Sequence, residues 1–99
     1  MNASDEYYKE LLRIACAYGH EAATAFLIDA GVDVNASDKY GNTPLMSACD
    51  HGREAVVALL IGAGAVVEAK TEFGTTSLMI AFQKEYDAIV ALLIEAVPM

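Results

Sequence analysis

Two cysteines and two histidines are the residues in this chain best suited to hold a metal ion. They are Cys16, His20, Cys49 and His51. Thiolate and imidazole groups are the ligands that zinc prefers. The two cysteines, however, lie one 33-residue period apart in similar segments, which is typical of a small side chain that packs between helices. We therefore predict no metal site and no other cofactor.

A nucleophile, an acid and a base also stand close together in the sequence, as Ser47, Asp50 and His51. Catalysis by such a set requires the three side chains to converge in a cleft that excludes water. Among the acidic residues, no pair stands in an apolar setting, so the sequence offers no sign of general acid–base catalysis. The fold must decide whether a catalytic cleft exists.

The stretch VVALLIGAGAVVEAK, residues 56–70, is similar to the start of a dinucleotide-binding fingerprint. That fingerprint needs three glycines, and Val67 stands at the third place. An upstream twin, FLIDAGVDVNA, carries Asp29 at the place of the first glycine, which a phosphate-binding loop would not tolerate. We interpret Gly31 and Gly64 instead as residues that end helices in the left-handed conformation.

These elements belong to an internal repeat of 33 residues. Residues 5–37 match residues 38–70 at 15 of 33 positions, and residues 38–66 match residues 71–99 at 12 of 29. Within the unit, Thr43 is a helix N-cap, Pro44 a first helical residue and Gly52 a stop signal. A second helix follows and ends at Gly64, and the next loop reads as a projecting hairpin. Stacking of such units buries an apolar face that one unit cannot bury alone.

Composition narrows the class of protein further. The chain has 99 residues and a formal net charge of −8 with only six Lys and Arg residues, which argues against nucleic acid and anionic membranes as partners. Its longest apolar stretch, residues 55–67, is shorter than the roughly 20 residues that span a bilayer. The polar, acidic N-terminus is unlike a signal or transit peptide. With two cysteines and no export signal, we expect an intracellular, cytoplasmic protein, and a nuclear one is not excluded.

The residues DKYGNTPLMSACDHGREAVVALLIGAGAVVEA, Asp38–Ala69, resemble the ankyrin-repeat family. The resemblance implies an all-α solenoid of stacked helix–turn–helix units with projecting β-hairpin loops, and no enzymatic activity, because the concave face of such a stack is open. It divides the single domain, residues 1–99, into an N-terminal capping repeat, an internal repeat and a truncated C-terminal repeat. Their expected ranges are 5–37, 38–70 and 71–99.

The sequence departs from the family pattern in three places, and each departure predicts a local difference in structure. The first copy lacks Thr-Pro-Leu and reads as one longer helix capped by Ser4. In the third copy, Glu85 replaces the glycine of the inter-helix turn, so we expect that turn to differ. Met46 and Met79 stand where the family often has histidine, which removes a polar link between repeats.

Two further expectations concern the cysteines and the end of the chain. Stacked helices lie about 8–10 Å apart, too far for a disulfide between Cys16 and Cys49. The apolar residues of the last helix either face inward or leave an open apolar face, on which more repeats or a second copy could dock. They are Ile89, Val90, Leu92, Leu93 and Val97.

The resemblance places a protein-binding site on the hairpin tips and the exposed side of each first helix. Carried over by register, the hairpin positions are Ser37, Lys39, Tyr40, Asn42, Lys70, Glu72, Phe73 and Thr75. The inner-helix positions are Tyr18, Ser47, Asp50, His51, Ile80, Gln83 and Lys84. Tyr40 and Phe73 are one repeat apart, and exposed aromatic residues dominate interface hot spots. Alternatively, each ring packs across its own hairpin. Tyr7 shares their register position but belongs to a helix.

We therefore predict a protein–protein interaction module whose partner surface is basic or apolar. We expect a monomer or a weak homodimer. One alternative function is a self-associating structural element that uses the apolar C-terminal helix. Another is a designed or trimmed scaffold without a natural partner.

Overall fold

In a computed structural model, residues 5–97 of the chain are described. They form six helices: α1 (Asp5–Tyr18), α2 (Glu21–Asp29), α3 (Pro44–Asp50), α4 (Glu54–Gly62), α5 (Ser77–Lys84) and α6 (Asp87–Ala96). No strand is present in that range. None of the helices described is long and apolar enough to cross a bilayer.

The helices pack in two rows. The inner row is α1, α3 and α5, the outer row is α2, α4 and α6, and each inner helix also packs against the outer helix that follows it. The core lies between the rows and is largest in the middle of the stack. Its fully buried members include Leu12, Leu45, Val56, Val57, Leu60, Ile89 and Leu93. This stack confirms the all-α fold predicted from the 33-residue period.

The beginnings and ends of the helices follow from local sequence signals. The hydroxyl of Thr43 accepts a hydrogen bond from the Met46 amide at 3.3 Å, and Pro44 begins α3. Thr76 caps α5 in the same way. Beyond α2 and α4, Gly31 and Gly64 have φ values of 95° and 96°, which confirms the interpretation that they end helices. The predicted cap of α1, Ser4, lies outside the described residues.

The two methionines in the place of the family's histidine lie in different surroundings. Met46 is only 2% exposed, and its sulfur accepts a hydrogen bond from the Thr43 amide at 3.4 Å. A thioether is a weak acceptor, but here it completes the capping box that opens α3. Met79, which no later repeat covers in the described residues, is 55% exposed.

The turn between α5 and α6 corrects one expectation. Glu85 was expected to change this turn, but its φ of 62° is close to the 73° of Gly19 and the 70° of Gly52. The hydrogen bond that closes the turn is also kept, from the Tyr86 amide to the Ala81 carbonyl at 3.0 Å. Packing of α5 against α6 therefore holds a glutamate in a left-handed conformation that favours glycine.

A difference in packing explains how the third turn admits a side chain. A Cβ on Gly19 would meet the Arg53 side chain at 2.9 Å, and one on Gly52 would meet the Tyr86 ring at 3.0 Å. In each case the obstacle comes from the next helix pair. Glu85 is exposed and has no such helix pair against it within residues 5–97.

Both cysteines are free and buried, and no disulfide links them. Burial raises the pKa of the Cys16 thiol to about 11, against a weaker opposing effect of a hydrogen bond with Thr24. Burial likewise raises the pKa of the Cys49 thiol to about 12, with Ser77 opposing the shift. Both side chains therefore behave as small apolar residues packed in the core.

The last helix is only partly apolar on its exposed side. Ile89 and Leu93 are buried, and Val90, Leu92 and Val97 are half-buried. The large apolar side chains exposed at this end of the stack are Met79, Phe82 and Ile94. Two of these three lie on α5, whereas the open apolar face was expected from residues of the last helix alone.

Candidate binding surface on the loop tips and inner helices

The loop before α3 is held by one carboxylate. Asp38 Oδ1 accepts hydrogen bonds from the backbone amides of Tyr40 and Asn42, each at 2.9 Å. The Asp38 amide donates back to the Asn42 carbonyl at 3.0 Å. Burial opposes ionisation of Asp38, but these bonds and the nearby Arg13 charge hold its pKa below the usual 3.8. The ionised carboxylate therefore fixes the loop tip at neutral pH.

The loop before α5 has the same arrangement with a hydroxyl in place of the carboxylate. Thr71 Oγ1 accepts hydrogen bonds from the amides of Phe73 and Thr75, each at 3.2 Å. The Thr71 amide donates to the Thr75 carbonyl at 2.9 Å. Each projecting loop is thus a tight turn, closed by main-chain hydrogen bonds and by one side-chain oxygen.

A main-chain hydrogen bond joins the two tips, from the Glu72 amide to the Tyr40 carbonyl at 2.9 Å. Gly41 allows this close approach, because a Cβ there would lie 3.0 Å from the Thr71 Cα. Its φ of 89° also requires glycine. The tips therefore form one connected edge and not two independent loops.

Tyr40 and Phe73 line a groove between the two tips. The groove has a volume of about 330 Å³, and Asn42, Thr71 and Thr75 complete its lining. Phe73 is 79% exposed and Tyr40 is 46% exposed. An aromatic ring packed across its own loop would be mostly covered, so that alternative does not describe Phe73.

The inner helices form a second groove beside the first. It has a volume of about 390 Å³, and its lining residues are Arg13, Asp38, Asn42, Met46, Ser47, Asp50, His51 and Ile80. Lys84, the last residue of α5, reaches this groove, and its Nζ lies 3.3 Å from Asp50 Oδ1. Four of the predicted inner-helix residues, together with Lys84, thus come together here.

The geometry around His51 does not match a nucleophile and its base. His51 Nδ1 lies 2.9 Å from the backbone carbonyl oxygen of Ser47, so the ring bonds to the main chain of its own helix. The closest Asp50 oxygen lies 3.9 Å from the same nitrogen. In this arrangement the Ser47 hydroxyl is not the hydrogen-bond partner of the imidazole, as nucleophilic catalysis would require.

The other predicted site residues are more dispersed. Ser37 and Lys39 line a third groove, between the first tip and α1, that continues to Tyr40. The exposed residues Lys70, Glu72 and Gln83 lie outside these three grooves. Tyr18 is exposed at the C-terminal end of α1, where its ring stacks on that of His20 with centroids 6.1 Å apart.

Some residues of this surface escaped the sequence analysis. Arg13 contacts two grooves, and its guanidinium lies 3.9 Å from Asp38. Ile14 is exposed at the register position of Ser47 and Ile80, so the repeat register alone could have identified it. We call the three grooves, the tips at residues 37–42 and 70–75, and the exposed sides of α1, α3 and α5 the inner surface.

The comparison with known families agrees with this architecture. Residues 1–71 match the family model described as ankyrin repeats (3 copies). The chain belongs to the ankyrin-repeat family. No curated protein matches it.

Ankyrin repeats are in general protein–protein interaction modules and are typically not enzymes, which fits the open grooves of the inner surface. The family match ends at residue 71, and α5 and α6 lie beyond it. Their turn, cap and helix lengths nevertheless follow those of α3 and α4. The exact repeat boundaries stay a prediction.

Proposed function

We propose that this chain is a non-enzymatic module that binds a partner protein through its inner surface. The observation that carries the proposal is the pair Tyr40 and Phe73, two exposed aromatic rings that line one groove. Exposed rings of this kind contribute large apolar contact area at a low cost in conformational entropy. The other predicted contact residues of the tips and inner helices surround this pair.

A second observation that supports the proposal is that the backbone of both tips is fixed by hydrogen bonds within the chain itself. Asp38 and Thr71 fix the two tips through paired hydrogen bonds to the main chain, and the Glu72–Tyr40 bond joins the tips to each other. A preorganised site loses less conformational entropy on association than a mobile one. These bonds involve main-chain amides and carbonyls, so none of them uses the side chain of Tyr40 or Phe73.

Affinity capture from a lysate of the source cells tests the proposal. The native chain is compared with a variant in which Tyr40, Asn42, Phe73 and Thr75 are all changed to alanine. Phe26→Ala is the matched control, because Phe26 is 74% exposed but lies on the outer helix α2. Circular dichroism shows that each variant is folded before capture.

We expect a protein that is held by the native chain and by Phe26→Ala, and is lost from the four-alanine variant. Truncating an interface aromatic residue at a hot spot weakens binding by about 2 kcal/mol or more, roughly 30-fold. Equal capture by all three chains would refute the proposal.

Self-association is a second candidate, favoured by the exposed side chains of Met79, Phe82 and Ile94. Even if all three were covered, the area lost would be roughly 400 Å² per copy, about half the ~800 Å² per partner of a standard interface. We therefore propose a monomer that dimerises weakly at most. Light scattering at increasing concentration tests this, and a stable dimer at micromolar concentration would contradict it.

We also propose that the chain acts inside the cell, in the cytoplasm or nucleus. The two buried free thiols support a reducing compartment. Fractionation of cells that carry the tagged chain tests this proposal.

A further inference from the structure

The charges of this chain are divided unevenly between its inner surface and the rest. Five of the six basic residues line one of the three grooves, lie on a tip or pair with a groove residue, as do five acidic residues. These ten are Glu6, Lys9, Glu10, Arg13, Asp38, Lys39, Asp50, Lys70, Glu72 and Lys84. Their formal charges cancel. The remaining nine acidic residues and Arg53 therefore account for the whole net charge of −8.

The carboxylates of the second groove already have cations beside them. Lys84 Nζ lies 3.3 Å from Asp50, and an Arg13 nitrogen lies 3.9 Å from Asp38. Asp38 also accepts a hydrogen bond from the Asn42 side chain at 3.1 Å. A basic partner would have to compete with these neighbours for each carboxylate.

The basic groups on the side of α1 are similarly engaged. Lys9 lies 3.6 Å from Glu6, and Arg13 pairs with Glu10 as well as with Asp38. Lys39 holds its ammonium over the Tyr40 ring, 5.1 Å from the centroid. An acidic partner would have to compete with these carboxylates for Lys9 and Arg13, and the acidic remainder of the molecule would repel it.

The groove between the tips is where the inner surface is both uncharged and apolar. Its walls are the Tyr40 and Phe73 rings, and two threonine side chains and Asn42 complete the lining. No ionisable acid or base lies among these residues apart from the Tyr40 phenol. A volume of about 330 Å³ accommodates one or two apolar side chains.

We infer that the inner surface binds an uncharged segment of its partner, which inserts an aromatic or aliphatic side chain between Tyr40 and Phe73. This inference rests on the proposed function and decides between the two partner classes, basic and apolar, that the net charge leaves open. Apart from Asp5 on α1 and Glu72 on the second tip, the acidic residues with no cation beside them within residues 5–97 lie on the outer helices and the connecting loops, where a basic segment would bind away from the groove.

Selection of peptides from a random dodecapeptide phage library tests the inference. The full-length chain is immobilised, and the dissociation constants of the selected peptides are measured by fluorescence anisotropy for the native chain, Tyr40→Ala/Phe73→Ala and Phe26→Ala. We expect peptides rich in aromatic and aliphatic residues and poor in Lys and Arg. Their affinity should fall at least tenfold in the double variant and change less than about twofold in Phe26→Ala.

Salt provides a second readout of the same complexes. Contacts without net charge are weakly screened, so raising the salt concentration from about 0.05 to 0.5 M should change these affinities less than about twofold. Peptides rich in Lys or Arg that lose tenfold or more in high salt would overturn the inference. If the binding of these basic peptides were also weakened by Tyr40→Ala/Phe73→Ala, the proposed function would stand and only the inference of an uncharged segment would fail.

Two other outcomes would refute the inference, and the first of them would refute the proposed function as well. If the selected peptides bind the double variant as tightly as the native chain, the site is not on the tips, and both the proposed function and the inference fail. If no peptide is selected, the inference is overturned, because an uncharged segment in a preformed groove should bind without the rest of its protein.

Discussion

Replacing Glu85 with glycine measures the strain held in the turn between α5 and α6. A non-glycine residue in the left-handed region costs about 1–2 kcal/mol, and Glu85 has a φ of 62°. Glycine removes that cost but adds about 0.5–1 kcal/mol of conformational entropy to the unfolded chain. The negative charge at the C-terminal end of α5, unfavourable by a few tenths of a kcal/mol, is also lost. We expect a net stabilisation of about 1 kcal/mol.

Urea unfolding followed by circular dichroism at neutral pH is the assay, with the slope of the transition checked for constancy. For a domain of this size, about 1 kcal/mol corresponds to a rise in Tm of roughly 4–8 °C. Glu85→Ala is the matched control, because it removes the carboxylate and keeps the Cβ in its strained position. Alanine should recover only the few tenths of a kcal/mol that belong to the charge.

The reverse substitution belongs in the same series. Gly52→Ala places a Cβ in the left-handed region and 3.0 Å from the Tyr86 ring, so it should destabilise the chain by at least 1 kcal/mol. Gly62, which ends α4 with open space around it, should accept alanine without loss. If Glu85→Gly is neutral or destabilising while Gly52→Ala behaves as stated, the turn does not store the strain assigned to it.

Three further predictions concern hydrogen bonds and titrating groups. Asn35→Ala should lower stability by about 1–2 kcal/mol in urea unfolding, since its side-chain amide bonds the Gly64 carbonyl at 3.2 Å and the Val66 amide at 2.7 Å; an unchanged midpoint would contradict this. Cys16 and Cys49, with pKa values raised to about 11 and 12, should resist a maleimide at pH 8 until the chain unfolds. Because the unfolded thiols ionise near pH 9, burial of the protonated thiols contributes fully to the free energy of unfolding below that pH, and this contribution is lost as the pH rises towards 11–12. A free energy of unfolding that stays constant over this pH range would be inconsistent with buried thiols. Asp38, whose pKa is lowered, stabilises the tip in its ionised form, so this contribution is present at neutral pH and is lost as the pH falls below 3.8. An NMR titration midpoint for Asp38 at or above 3.8 would count against it.

Much of the fold could be predicted because its signals are local. Thr43 and Pro44 mark where α3 begins, and Gly64 follows the end of α4, each through the conformation of one or two residues. The 33-residue period then predicts how the helices pack, because repeated units must stack to bury their apolar faces. No catalytic motif of similar strength appeared in the sequence.

The error at Glu85 shows where local reasoning fails. The sequence contains a residue that disfavours the left-handed turn, and nothing nearby in the sequence compensates for it. The compensation is tertiary, since burial of Ala81, Ile89 and Leu93 fixes how α5 and α6 meet. Packing of two helices can outweigh a backbone preference of about 1–2 kcal/mol.

The candidate site was predictable in its positions but not in its chemistry. Register alone placed Tyr40 and Phe73 on neighbouring tips. Whether each ring is covered depends on side-chain packing, and the ion pair between Lys84 and Asp50 joins neighbouring repeats through residues that are far apart in the sequence. For the same reason, the neutrality of the inner surface could not be read from the net charge.

The most direct test of the account is an NMR map of the binding site. The isotope-labelled chain is titrated with the partner recovered by affinity capture, and changes in the backbone amide signals are located. We predict that they concentrate at residues 38–42 and 71–75 and along the exposed side of α3. Changes confined to α2 and α4, with the tips undisturbed, would contradict the assignment of binding to the inner surface.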